Sequence, residues 1–210
     1  MSNPVYDMDR AAASASQSAT LQQNDALHAM GRTFNWWGGS GVIYFAAFLW
    51  LGGRALKRTR VSLLGLRSAE AITVASAING LAKGVAGRAR PFVTPDEPGH
   101  WYLLHGWTDA HFQSMPSGHT AATVAFAAAV IVVSTRFAAT TRRMVIAGSV
   151  LAALFVAVAR IYTNQHWLSD VLAGALIGYV SGLLLASWHE RNPRTRFDRV
   201  LLGAGAEQLP

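Results

Sequence analysis

The sequence contains no cysteine and few acidic residues, and these shortages limit the kinds of site and of protein that it can form. Without cysteine there is no disulfide, no zinc–thiolate site and no cysteine nucleophile. The 11 Asp and Glu residues are outnumbered by 18 Lys and Arg, which gives a net charge of +7 in a chain of 210 residues. The first thirty residues contain no apolar run, so we expect no cleavable signal peptide. Because 51% of the residues are nonetheless hydrophobic, the chain fits either a nucleic-acid binder with a large core or a membrane protein with basic loops.

The arrangement of the apolar residues decides between these two classes. They form long runs over residues 38–53, 68–83, 119–134, 144–161 and 167–188. Charge is scarce in the last three runs, where Arg160 and Asp170 both lie close to an end, and this disfavours a soluble helical bundle. We therefore predict an all-α integral-membrane bundle of about five transmembrane helices over residues 36–190. Residues 1–35 are expected to form a loose polar tail with one short helix at about 9–32, and residues 191–210 a basic tail.

The basic residues of the loops indicate an orientation in the membrane. Residues 54–60 and 136–143 contain Lys and Arg but no acid, and more Arg follows residue 190. All three segments fall on one side of a five-span protein, and such a bias marks the cytoplasmic side. We therefore expect the C-terminus in the cytoplasm and the N-terminus outside, with no need of nucleic acid to explain the charge. Near the inner end of the second run, Arg67 and Glu70 are expected to form a structural salt bridge.

The opposite side of the membrane gathers residues that suit a phosphate. Lys83 and Arg90 end the second run, Ser117 and Gly118 open the third, and Arg160 ends the fourth. The cations can neutralise phosphate oxygens, each contact at 4 Å contributing roughly 4 kcal/mol at an effective dielectric near 20. Ser117 supplies a hydroxyl donor, Gly118 allows close backbone approach, and the free amides of a helix N-terminus attract an anion. Arg88 stands between Lys83 and Arg90 in the sequence, and we expect it to be a solvated charge at the membrane interface.

Two histidines at this face have different neighbours. His166 and Asp170 stand four apart and share one face of a helix, so the carboxylate can accept the Nδ1–H and leave Nε2 free to attack phosphorus. His119 has no such neighbour and is free to protonate the leaving oxygen. Three further histidines, His100, His105 and His111, lie in the long outer loop over residues 92–115. Their spacings suit no common zinc site, so we expect no metal.

In these three segments the sequence resembles the type 2 phosphatidic acid phosphatase (PAP2) superfamily, which includes vanadium haloperoxidases. The matching residues are Lys83, Arg90 and Pro91, then Pro116, Ser117, Gly118 and His119, then Arg160, His166 and Asp170, all at the family spacing. Ala159 stands where the family usually has Ser, and one of the usual six spans is missing. The resemblance covers about half of the chain. It implies a transiently phosphorylated His166 and catalysis without a metal or other cofactor.

The resemblance implies a membrane phosphatase acting on a lipid phosphomonoester or diphosphate. Undecaprenyl diphosphate and phosphatidylglycerol phosphate are the favoured types, because the site is expected to face the outside of a bacterial inner membrane. Phosphatidic acid and lipid A phosphate stay open, and so does the oligomeric state. Two rival functions are a vanadium-dependent haloperoxidase-like oxidoreductase and a non-catalytic membrane subunit. The apolar runs disfavour the first, and the presence of His119, His166 and Asp170 disfavours the second.

Overall fold

The computed structural model describes residues 3–192 and 196–202, and this part of the chain is helical with no β-strand. The helices are α1 (Pro4–Ser16), α2 (Ala19–Gln22), α3 (Asp25–Trp36), α4 (Val42–Ala55), α5 (Thr59–Ala86), α6 (Gly118–Val133), α7 (Ala139–Tyr162), α8 (Leu168–Arg191) and α9 (Arg196–Leu202). A π-helical turn, Trp37–Gly41, joins α3 to α4. The predicted all-α membrane bundle is confirmed.

Four of these helices are long and apolar enough to cross a membrane: α5, α6 with the turn that extends it to Arg136, α7 and α8. The first expected span corresponds to α4 together with the π turn, a continuous helical run over residues 37–55. Helix α5 begins nine residues before the expected span, at Thr59, because the helix continues through the polar residues that precede the apolar run. Gly87 follows its last residue and terminates the helix, with a φ of 58° in the left-handed conformation that glycine adopts readily.

The N-terminal segment is more ordered than the expected loose tail. Asn3 caps α1 by accepting a hydrogen bond from the amide of Val5, and Asn24 caps α3 in the same way through Leu27. Both caps are typical helix starts, and Pro4 occupies the first turn of α1, where its missing N–H is harmless. Helix α1 lies at the end of the bundle that carries the predicted site, where it packs against α7 and α8.

The opposite end of the bundle is closed by a charged cluster around Arg67. Its side chain is 3% exposed and lies 2.9 Å from Glu70, so the expected salt bridge is confirmed. A second ion pair of 2.6 Å joins Arg67 to Asp198 of α9. Part of the expected basic tail, residues 193–195 and 203–210, lies outside the described residues.

Helices α6 and α8 pack with their backbones in contact. A Cβ atom added at Gly174, Gly178 or Gly182 of α8 would collide with a carbonyl oxygen of α6, at Ser117, Ala121 and Ala125 respectively. Three glycines spaced by four residues therefore form one flat stripe, as is typical of closely packed transmembrane helices. The contact at Ser117 fixes the start of α6 against the start of α8.

Replacing Gly178 with Leu should force α6 and α8 apart and destabilise the protein by about 1–3 kcal/mol, the usual effect of overpacking. The thermal unfolding midpoint in detergent, followed by tryptophan fluorescence, measures this loss. Gly80→Leu is the matched control, since a Cβ at Gly80 of α5 meets no atom within 4 Å. Equal midpoints for the two variants would contradict the close-packed stripe.

Candidate active site

The three segments singled out in the sequence meet at one end of the bundle. The amide of Ser117, at the start of α6, donates a hydrogen bond of 2.9 Å to the carbonyl of Asp170 in α8. A Cβ at Gly118 would lie 3.6 Å from Cε of Lys83 in α5. His119 in turn lies within electrostatic range of Lys83, Arg90 and Arg160. The structure thus brings together all the residues expected to form the site.

His166 lies in the short connection between α7 and α8 and is 2% exposed. Its amide donates to the carbonyl of Arg160, and the next residue, the fully buried Trp167, donates from Nε1 to the carbonyl of Ala89. Burial lowers the pKa of His166 to about 3, against an opposing contribution from the Asp170 carboxylate. The imidazole is therefore neutral at physiological pH, as a nitrogen nucleophile must be.

The Asp170 carboxylate is fully buried and is held by three donors. Oδ2 accepts hydrogen bonds from the Ser114 hydroxyl at 2.5 Å and from the Trp167 amide at 2.8 Å, while Oδ1 accepts one from Arg88 at 2.5 Å. Oδ2 lies 3.7 Å from Nδ1 of His166, which is longer than a hydrogen bond. The expected hydrogen bond between the two side chains is therefore not formed in the structure, although the two groups lie close together.

Arg88 is buried, which corrects the expectation of a solvated interface charge. It is 1% exposed and forms ion pairs with Asp170 and with Asp9 of α1. Trp101 and Trp167 flank the guanidinium, with ring centroids 4.9 and 5.6 Å away. Its acidic partners stand about eighty residues away on either side in the sequence, so no local pattern could reveal the pairs.

The three expected phosphate-binding cations are each held by a neutral oxygen. Lys83 donates to the carbonyl of Gln113 at 2.6 Å, Arg90 to the side chain of Gln165 at 2.6 Å, and Arg160 to the side chain of Asn35 at 2.9 Å. Within residues 3–192 and 196–202 none of the three forms a salt bridge. Their positive charge is thus left for an anion. Asn35, Gln113 and Gln165 position these cations, and sequence reasoning missed them.

The start of α6 adds amide donors beside the cations. Ser117 is buried, and its amide donates to the carbonyl of Asp170. Its Oγ accepts a hydrogen bond of 3.0 Å from the hydroxyl of Thr120. The next three amides, of Gly118, His119 and Thr120, find no acceptor in the described part of the chain. They lie at the positive end of the helix dipole, an arrangement that favours an anion.

His119 packs against the π turn that precedes α4. A Cβ at Gly39 would lie 3.1 Å from its Nε2, and one at Gly38 would lie 3.1 Å from its Cβ. The two glycines therefore leave the space that the imidazole occupies. Sequence reasoning placed both in an apolar run and missed this role, although a glycine pair within such a run was a visible signal.

The described residues contain no group of three or more His, Asp or Glu side chains arranged to hold a metal ion. Two of the outer-loop histidines bind neighbouring acids instead. His100 lies 2.6 Å from Glu97, and His111 lies 2.8 Å from Asp109.

Comparison with known proteins relates this site to a family. The model of the PAP2 superfamily matches residues 64–194, which include every candidate site residue. No curated protein matches the sequence.

Two solved structures share the fold. One is a transmembrane PAP2-type phosphatidylglycerolphosphate phosphatase from Bacillus subtilis, with a TM-score of 0.70, 21% identity, and coverage of 93% of this chain and 90% of that one. The other is LpxE from Aquifex aeolicus, with a TM-score of 0.60, 22% identity, and coverage of 89% of this chain and 96% of that one. With the family match spanning well over half of its length, the chain belongs to the PAP2 superfamily.

Proposed function

We propose that the protein is a metal-independent membrane phosphatase that hydrolyses a lipid phosphomonoester or diphosphate through a phosphohistidine on His166. The observation that carries this proposal is the set of three cations, Lys83, Arg90 and Arg160, held by neutral oxygens beside a buried neutral histidine. The shared fold with a phosphatidylglycerolphosphate phosphatase supports a lipid substrate of that kind, and undecaprenyl diphosphate is the alternative lipid head group.

The reaction follows from the positions of the two histidines. Nε2 of His166 attacks phosphorus and forms a P–N bond while the bond from phosphorus to the lipid oxygen breaks. His119 gives its proton to that oxygen. Water then attacks phosphorus, His119 accepts a proton from it, and the P–N bond breaks to release phosphate. The three cations and the free amides at the start of α6 stabilise the charge on the equatorial oxygens in both transition states.

Replacing His166 with Ala should reduce phosphate release by at least about 10³-fold, because it removes the nucleophile. Purified protein is assayed on phosphatidylglycerol phosphate and on undecaprenyl diphosphate, each labelled with ³²P in the phosphoryl group that is transferred. Label bound to the protein is then counted after an alkaline quench that preserves a P–N bond.

His111→Ala serves as the control, since that ring is 60% exposed in the outer loop, and it should keep both activity and label. Label retained by the His166→Ala protein would show that another group accepts the phosphoryl.

An apolar groove lies in the membrane-spanning part of the bundle. It has a volume of about 350 Å³ and runs between α4, α5, α6 and α7. Its lining residues are Trp37, Phe45, Leu49, Val61, Leu64, Phe126, Val130, Phe137, Val145, Gly148, Ser149 and Ala152. Its upper end, at Trp37, adjoins the glycines that pack on His119. Since His119 protonates the oxygen that carries the lipid, a hydrocarbon tail bound in this groove would start where the leaving group forms.

Gly148→Phe should fill the groove about 18 Å below Arg160, as judged by the helical rise of 1.5 Å per residue along α7. Displacing two buried CH₂ groups of a long tail, at about 0.8 kcal/mol each, lowers kcat/KM for a long-chain lipid phosphate about tenfold. A short-chain phosphate that does not reach Gly148 should be hydrolysed as before.

Gly80→Phe is the matched control, because a Cβ at either glycine meets no atom within 4 Å and Gly80 does not line the groove. Equal loss on long and short substrates in Gly148→Phe would count against the groove as the tail site.

We further propose that the site faces the outside of a bacterial inner membrane and that the C-terminus is cytoplasmic. Twelve of the 18 Lys and Arg residues fall in the sequence segments 54–67, 136–143 and 191–199. The described parts of these segments lie at the end of the bundle opposite the site. Lys and Arg resist translocation, so this end is expected to stay inside.

Single cysteines test this orientation without a native background, since the chain has none. Asp96→Cys lies in the exposed loop near the site and should react in intact cells with a membrane-impermeant maleimide. Thr140→Cys lies exposed at the start of α7 and should react after lysis alone. The reverse labelling pattern would place the site in the cytoplasm.

A further inference from the structure

Asp9 is the one buried residue of helix α1. Val5 and Met8 of the same helix are about half exposed, whereas Asp9 is 1% exposed. Helix α1 therefore buries no apolar side chain completely, although Tyr6, Ala12 and Ala13 are partly buried. Its buried contact with the bundle is a carboxylate, and burying a charge is costly unless it is fully paired.

The Asp9 carboxylate reaches two elements that hold the site. Oδ2 accepts from Nη2 of Arg88 at 2.6 Å and from the Ser169 hydroxyl at 2.7 Å. Oδ1 accepts from the Ser169 amide at 2.8 Å, in the first turn of α8. The Ser169 amide, one of the amides at the start of α8 that have no acceptor within the helix, is thus bound by a carboxylate from another helix. Ser169 lies two residues after Trp167 and three after His166.

We propose that Asp9 is a positioning residue of the phosphatase, which fixes how Arg88 and the first turn of α8 hold Asp170 next to His166. This inference rests on the function proposed above. Neither the sequence motifs nor the family match includes residue 9, since the match begins at residue 64.

The division of the Arg88 guanidinium between two acids supports this role. Nη2 is occupied by Asp9 and by the carbonyl of Pro98, so Nη1 alone reaches Asp170, at Oδ1. Oδ2 of Asp170 is left on the side of His166. Without Asp9, both Nη1 and Nη2 of the guanidinium could donate hydrogen bonds to Asp170, which is the bidentate geometry that arginine favours with carboxylates. Oδ2 would then be drawn away from His166.

The charges lead to the same conclusion. Arg88 lies between two buried carboxylates, so the cluster formed by Asp9, Arg88 and Asp170 carries one excess negative charge. That excess stabilises the positive charge that develops on the imidazole of His166 as it attacks phosphorus. Neutralising Asp9 would remove it.

Asp9→Asn tests the proposal, because the amide keeps the shape of the side chain and can still accept from Ser169. We expect kcat to fall about 10- to 100-fold, the loss typical of removing a group that orients a functional histidine, with KM nearly unchanged. Orthovanadate is the probe of the transition state, since it mimics phosphorus during attack by His166. Its inhibition constant should rise by a similar factor.

Asp7→Asn is the matched control, because Asp7 lies on the same helix, is 48% exposed and pairs with Arg10. It should leave kcat, KM and vanadate inhibition unchanged. Wild-type protein and Asp7→Asn are assayed together on the lipid phosphate, and if neither releases phosphate the proposed function itself fails.

Two outcomes would overturn the role of Asp9. One is wild-type kcat in Asp9→Asn. The other is a lower kcat with an unchanged vanadate inhibition constant, which indicates fewer folded molecules and not an altered site. If Asp9→Asn does not fold, Ser169→Ala decides, because it removes a hydroxyl bonded to both Asp9 and Arg88. It should lower kcat and weaken vanadate binding in parallel, each about threefold or more, and wild-type values would overturn the proposal.

Discussion

The buried ion pair between Arg88 and Asp170 is the interaction on which the active-site end of the bundle depends. Four parts of the chain meet at it: the segment after α5 through Arg88 itself, the approach to α6 through Ser114, the first turn of α8 through Asp170, and α1 through Asp9. Removing one partner of such a pair leaves an uncompensated buried charge, at a typical cost of about 3–5 kcal/mol. The side chain that faces the candidate nucleophile is therefore also the side chain that holds the loops together, so the geometry of the site and the fold of this end are set by the same contacts.

The bundle separates its charges according to what they do. The buried acids near the site, Asp9 and Asp170, pair with Arg88. At the other end, Glu70 and Asp198 pair with Arg67. Lys83, Arg90 and Arg160 are held by carbonyl and amide oxygens. A neutral acceptor orients the cationic side chain without neutralising its charge. A carboxylate would orient the side chain and also neutralise it, and it would compete with a bound phosphate for the cation. A site built in this way is ordered before a ligand binds and still carries the positive charge that the proposed phosphate substrate requires.

Much of the fold and the site followed from the sequence, and the remainder depended on contacts between distant residues. Long apolar runs and fixed motif spacing were enough for the bundle and for the meeting of Lys83, His119 and His166, since each signal lies within one helix or loop. The burial of Arg88 was predicted wrongly, because its partners Asp9 and Asp170 are distant in the chain. The order of residues 4–36 was also underestimated. The capping residues Asn3 and Asn24 were recognisable in the sequence, but the contacts that hold this segment against the bundle are tertiary, and one of them is the ion pair between Asp9 and Arg88.

The glycine stripe of α8 has a mechanical consequence for a protein in a fluid bilayer. Because the three glycines of α8 bring its backbone against the backbone of α6 between Ser117 and Ala125, α8 has no side chain at these three positions that could absorb a relative shift of the two helices. Transmembrane helices change their tilt when the membrane becomes thinner or thicker. We expect α6 and α8 to tilt together as one rigid unit. His119 lies in α6, and His166 lies just before the start of α8. The separation between the proposed proton donor and the proposed nucleophile therefore changes little with the thickness of the surrounding lipid.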